Sequence, residues 1–179
     1  MISNNWSKAQ KVLNDGGVIV APTDTLYGIL TRALDKKAVE RIYKIKGRDA
    51  TKPFIILVTK IDDLKKFGIS ADSNVFVPKV SVIVACSNKK LTYLHRGKNS
   101  LAFRMIGKRN KNLYNLIMKA GPLVAPSANP QGLNPSKTIT EAKKYFESKI
   151  DLYINGGTRN SKPSTIISLI GGKIKILRK

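Results

Sequence analysis

Apolar positions recur along the chain with two periods, and the switches between them outline its elements. From Asn4 to Asn14, Trp6, Ala9 and Leu13 share one side of a 3.6-residue repeat that Asp15-Gly16-Gly17 interrupts, which predicts a first helix. Val18 to Ala21 is a short apolar run closed by Pro22, the mark of a buried strand, and Leu26 to Leu30 predicts a second. Val39, Ile42 and Tyr43 predict a helix over 36–46 that ends at Gly47. Strands are expected over 54–58, 80–85 and 101–106, then a helix over 111–120 with Leu113, Leu116 and Ile117 inward, then a strand over 122–126. Thr138 followed by Glu141 has the spacing of a capping box for a helix through Phe146. Strands over 152–154, 165–170 and 173–177 complete the series. Helices and strands interspersed in this way predict an α/β fold around one twisted mixed sheet. Strands this apolar need helices flanking the sheet on parts of both faces.

The chain has 179 residues, the size of one ordinary domain, so residues 1–179 are read as a single unit. No apolar run approaches the ~20 residues of a membrane span. The start Met1-Ile2-Ser3-Asn4-Asn5-Trp6 lacks the basic and apolar regions of a signal peptide. The expected setting is cytoplasmic, with no membrane contact. One cysteine, Cys86, excludes an internal disulfide framework and a cysteine-built zinc cluster. The only histidine, His95, sits in a Lys/Arg-rich stretch beside Arg96 and is expected at the solvated surface.

Charge changes the picture most. Thirty-three Lys+Arg against eleven Asp+Glu leave +22. Codon bias accounts for part of it, since 25 Lys are accompanied by 20 Ile and 13 Asn. It does not account for so few glutamates. A polyanion is the indicated partner or substrate, either nucleic acid or nucleotide phosphate.

The informative polar residues lie where apolar strands stop. Pro22-Thr23-Asp24-Thr25-Leu26-Tyr27-Gly28 offers two hydroxyls and a carboxylate at a strand end, suited to a small polar ligand or to an ordinary Thr/Asp turn. Lys46-Gly47-Arg48 places a point charge and a guanidinium fork where both can meet phosphate oxygens, or complement a helix C-terminus. Both cations are expected to be exposed. Arg104 interrupts the apolar run Leu101–Ile106; it needs either a buried carboxylate or a substrate carboxylate in a cleft, and the scarcity of acids favours the cleft. Pro126-Ser127-Ala128-Asn129 follows a buried strand, where open α/β sheets bind ligands. No phosphate-binding G-x-x-x-x-G-K-[ST] loop, no Ser/His/Asp triad and no His- or acid-rich metal spacing is present.

Taken together, GGVIVAPTDTLYGI (16–29), KGRDATKP (46–53), SLAFRM (100–105), PLVAPSAN (122–129), KPSTII (162–167) and KILR (175–178) resemble the YrdC/TsaC family of L-threonylcarbamoyladenylate synthases. The resemblance spans essentially the whole chain. It implies a YrdC-like twisted α/β sheet with a large basic concave cleft. It implies catalytic Lys46 and Arg48 on the ATP phosphates, with Lys52, Ser100, Ser127, Asn129 and Arg178 also on ATP, and Thr25, Arg104 and Ser164 on L-threonine. It implies synthesis of threonylcarbamoyl-AMP and pyrophosphate from L-threonine, bicarbonate and ATP, with Mg²⁺ carried on the phosphates, for threonylcarbamoyladenosine modification of tRNA. The consumer of the product would be the tRNA threonylcarbamoyl-transferase complex, and tRNA itself is not required for the reaction. Ser127 to Thr138 is a candidate closing loop or a plain surface loop. The chain departs from the family pattern at Phe76–Ser81, Lys52 and Leu57. The alternative reading is a non-catalytic double-stranded RNA or tRNA-binding module of the same fold.

Overall fold

The computed structural model describes the backbone of residues 1–179 and every side chain except that of Ser73. Asn5 caps the first helix, α1 (Trp6–Asn14), by accepting from the N–H groups of Ser7 and Lys8 at 2.9 and 3.2 Å. Asp35 does the same for α2 (Lys36–Lys46), accepting from the Ala38 N–H. This helix stops at Gly47, whose φ of 57° lies in the left-handed region. The Arg48 N–H then reaches back to the Tyr43 carbonyl at 3.1 Å, the long bond of a Schellman ending. The short α3 (Thr92–His95), α4 (Lys111–Ala120) and α5 (Ile139–Phe146) follow. At α5 half of the expected capping box forms. Thr138 accepts from the Glu141 N–H at 3.2 Å, but the Glu141 carboxylate takes the Lys137 N–H instead of that of Thr138.

Ten strands form the sheet: β1 (Ile2–Ser3), β2 (Ile19–Pro22), β3 (Tyr27–Arg32), β4 (Ile55–Val58), β5 (Val80–Ala85), β6 (Ser100–Met105), β7 (Leu123–Val124), β8 (Leu152–Ile154), β9 (Thr165–Ser168) and β10 (Lys175–Arg178). Their order is β1-β8-β2-β3-β7-β4-β6-β5-β9-β10. The pairs β1/β8, β2/β8, β4/β6 and β5/β9 are parallel and the rest antiparallel, so the sheet is mixed. Alternation sorts its side chains into two apolar layers. Val18, Val20, Ile56 and Val58 pack with Val39 and Ile42 of α2 and Phe146 of α5. Ile19, Ala21 and Leu57 pack on the other side with Leu13 of α1 and Leu116 of α4.

Several elements lack a sequence signal: β1, α3, a 3₁₀ turn over Ile61–Phe67 and the three-residue 3₁₀ turns Ser73–Val75, Lys89–Leu91 and Glu147–Lys149. The strand expected over 122–126 shrinks to Leu123–Val124, because Pro122 and Pro126 have no N–H for the ladder. His95 is a correction. It is buried, not solvated, because Leu91 and Leu94 carry its turn into the core. Its Nδ1 accepts from the Gly97 N–H at 3.2 Å, and its Nε2 lies 3.3 Å from the Asn88 carbonyl.

Candidate functional site

A cavity of about 310 Å³ opens where the β2–β3 turn, the Arg48–Ile55 segment, β6, the segment after β7 and the β9–β10 hairpin meet. The β2–β3 turn is tightened by Thr23, whose N–H and hydroxyl both bond the Leu26 carbonyl, at 2.9 and 2.7 Å. Its Oγ1 also accepts from the Thr25 N–H at 3.2 Å. That turn carries Asp24 and Thr25 across to β6.

Arg104 is buried and heads a polar network. Its Nη1 donates to Asp24 Oδ1 at 3.0 Å and to Thr25 Oγ1 at 3.2 Å, and its Nε donates to Ser81 Oγ at 3.1 Å. Ser81 and Ser164 share a hydroxyl–hydroxyl bond of 3.0 Å. Arg178 closes the network by donating from Nη2 and Nε to the Ser164 carbonyl at 2.8 and 3.1 Å. The choice between a buried carboxylate and a cleft is therefore answered by both. Asp24, which the scarcity of acids argued against, pairs with Arg104, yet Arg104 also lines the cavity. Its Nη2 has no protein partner among the described residues. Burial lowers the Arg178 pKa, and the neighbouring Arg104 charge adds to the effect.

Arg48 lines the cavity too. It is half-buried: its Nε donates to the Lys52 carbonyl at 3.2 Å and its guanidinium stands 5.3 Å from the centre of the Phe54 ring. Burial lowers its pKa. Lys46 is a second correction. It is 3% exposed, does not line the cavity, and donates to the backbone carbonyls of Ser127 and Asn129. Among the described residues no carboxylate pairs with it. Burial, reinforced by the Arg48 charge, lowers its pKa to about 7.

Thr25, Arg48, Arg104, Ser127, Ser164 and Arg178 are thus brought around one cavity. Besides Lys46, three more expected residues stand outside its lining. Lys52 is exposed, 3.7 Å from the Asp49 carboxylate. Ser100 pairs with Ala85 at the start of β6. Asn129 has its amide engaged locally: Oδ1 accepts from Ser127 Oγ at 2.6 Å and Nδ2 donates to the Leu133 carbonyl at 2.7 Å. Leu57 is buried in the layer with α1 and α4, so its departure from the family pattern does not reach the cavity. Residues missed by sequence reasoning are Asp24 as the partner of Arg104, and Ser81. A fully buried serine inside the run Val80-Ser81-Val82 was a signal of the same kind as Arg104.

A family model for Sua5, YciO and YrdC, described as telomere recombination, matches residues 11–179. The chain belongs to the Sua5/YciO/YrdC family. Among its relatives, a putative threonylcarbamoyl-AMP synthase of Methanocaldococcus jannaschii is 30% identical over 175 residues, covering 94% of this chain and 82% of that one. A threonylcarbamoyl-AMP synthase of Thiobacillus denitrificans is 30% identical over 172 residues, covering 90% and 89%. Pyrococcus abyssi Sua5, solved in complex with L-threonine, superposes with a TM-score of 0.87 at 27% identity. That match covers 97% of this chain and 53% of the Sua5 chain, so this Sua5/YciO/YrdC chain spans about half the length of that relative.

Proposed function

We propose that residues 1–179 form one catalytic domain that makes threonylcarbamoyl-AMP and pyrophosphate from L-threonine, bicarbonate and ATP, a nucleotidyl transfer serving tRNA modification. The observation that carries this reading is the gathering of Arg48, Arg104 and Arg178 around one cavity that no carboxylate lines among the described residues, Asp24 beside it being paired with Arg104. Such a site is short of anions, and a triphosphate with an amino-acid carboxylate supplies them. The names of the relatives and the threonine-bound Sua5 support the same substrates.

In this reading the threonine amine and bicarbonate condense to an N-carboxylate with loss of water. A carboxylate oxygen attacks the α-phosphorus, forming an O–P bond, and the bond to pyrophosphate breaks. No protein nucleophile is required. Arg104, tied down by Asp24, Thr25 and Ser81, offers its free Nη2 to the threonine carboxylate, and Thr25 and Ser164 lie beside it. Arg48, Ser127 and Arg178 line the cavity; in this reading the two arginines neutralise charge that develops on the transferring group and the Ser127 hydroxyl hydrogen-bonds a phosphate oxygen. Fixing both reactants in one cavity removes the entropy of bringing them together. No group of three His, Cys, Asp or Glu side chains suited to a metal stands together among the described residues. In this reading Mg²⁺ arrives on the ATP phosphates, and no step is assigned to a metal held by protein. No helix among the described residues is long and apolar enough to cross a membrane.

The deciding experiment measures pyrophosphate release from ATP with each small substrate omitted in turn, with and without tRNA. Release should need threonine and bicarbonate together and proceed with no RNA. Release that is indifferent to threonine, or absent until tRNA is added, would promote the RNA-binding reading.

A further inference from the structure

Resting on the ATP-site reading above, we infer that Lys46 and Gln131 are positioning residues that latch the 127–136 strap to the end of α2, holding Ser127 and Arg48 beside one cavity. Three sets of bonds make the latch. The Lys46 ammonium holds two carbonyls of the strap, those of Ser127 and Asn129. The Gln131 N–H donates back to the Lys46 carbonyl at 2.9 Å. The Gln131 Oε1 accepts from the Asp49 N–H at 2.8 Å. The bonds from Gln131 straddle Gly47-Arg48, the turn that aims Arg48 at the cavity. The strap is also closed on itself, since the N–H and hydroxyl of Ser136 both donate to the Ala128 carbonyl.

The chemistry of Lys46 follows from its surroundings. The carbonyls of residues 127 and 129 turn toward one buried point; that of residue 127 also accepts from the Asn129 N–H at 3.0 Å, whereas that of residue 129 needs a donor there or stays unsatisfied. Lys46 donates to both from a different element, 81 and 83 residues away along the chain. Engaged in this way and outside the cavity lining, the ammonium acts on phosphate through Ser127 and the strap. The candidate closing loop is therefore fastened at its base.

The test compares the full-length wild type with Lys46→Met, Gln131→Ala, Gln131→Glu and, as a phosphate-contact reference, Arg48→Met. Hydrogen exchange reads the strap without any ligand. The Gln131 and Ser136 amides should exchange about tenfold faster in Lys46→Met and Gln131→Ala, with α4 unchanged. In Arg48→Met they should not move. The kcat/KM for ATP should fall about tenfold in Lys46→Met and about threefold in Gln131→Ala. Gln131→Glu, which keeps an acceptor for the Asp49 N–H, should restore both readouts. Pyrophosphate affinity should fall more in Arg48→Met than in Lys46→Met. Unchanged strap exchange together with pyrophosphate loss equal to that of Arg48→Met would overturn the latch and make Lys46 a direct phosphate ligand. If Lys46→Met does not fold, the Gln131 pair decides by the same exchange readout. A wild type that releases no pyrophosphate while its strap responds as described would remove the synthase reading and leave the latch.

Discussion

Arg48 and Arg104 put the same functional group into one cavity, but the protein holds them differently and their loss should be felt differently. Arg48 is half-buried, with the Lys52 carbonyl and the Phe54 ring as its neighbours. Arg48→Ala should lower turnover ~10²–10³-fold, as for a lost contact to developing charge, and leave the melting temperature nearly unchanged. A variant with near wild-type pyrophosphate release would take Arg48 out of the site. Arg104 has a buried carboxylate to neutralise, the side chains of Arg104 and Asp24 being 7% and 6% exposed. Arg104→Ala strands that charge, and breaking a buried pair from one side typically costs ~3–5 kcal/mol. Threonine affinity and thermal stability should fall together, which isotherms and a melting curve separate. A melting temperature equal to wild type would show that Asp24 finds water or another partner. Thr25, Arg104, Ser127 and Ser164 were legible from the sequence because each is polar at the edge of, or inside, an apolar run or motif. The partners were not legible. Asp24 reaches Arg104 across 80 residues, and no local pattern records which carbonyls will meet at Lys46.

At the scale of elements, α2 matters because its far end carries the latch and Arg48. It is pinned to the sheet by Arg41, whose guanidinium donates to both Asp151 oxygens at 2.6 and 2.9 Å. Asp151 also accepts from the Val18 N–H at 2.7 Å, just before β2. Burial works to raise the Asp151 pKa, but Arg41 and the Val18 N–H outweigh it, so the net direction is down from 3.8. A folded-state value below the unfolded one means stability that is whole above the unfolded pKa and lost as pH falls through the folded pKa. Asp151→Asn should therefore lower the melting temperature at neutral pH, and the gap from wild type should close in acid below about pH 4. A gap that persists undiminished there would deny the carboxylate its role. Nearby, a Cβ at Gly156 would lie 2.4 Å from Pro22 Cγ. Gly156→Ala should force β2 and the loop after β8 apart and destabilise by ~1–3 kcal/mol, as read by denaturant titration. The long elements were legible to within a residue or two because period and caps agree, as at α4, where Leu113, Leu116 and Ile117 fall on one face. The two-residue β1 and four-residue α3 are shorter than any period that could announce them.

Across the whole molecule the specific site uses few of the 33 basic residues, and with a net charge of +22 the remainder is expected to act as a diffuse positive field. tRNA retained by that field should be bound with little sequence preference and be released between ~50 and ~200 mM salt. Turnover should change far less over the same range, because Arg104 is buried and Arg48 half-buried, and screening is weaker there. Filter binding and pyrophosphate release, run on one salt series, compare the two directly; parallel losses would tie catalysis to the surface field. The mixed α/β architecture was legible from element alternation, whereas the strand order was not, since β7 enters between β3 and β4 from far along the chain. That order has a kinetic consequence. The cavity draws on positions from Thr23 to Arg178, so it cannot close until strands distant in sequence are in register. Contacts of such separation form only after the entropy of large loops has been overcome, and they slow folding. On refolding, the far-UV signal of the helices should therefore recover before threonine or ATP can be captured, leaving an interval in which the chain is helical, compact and unable to bind.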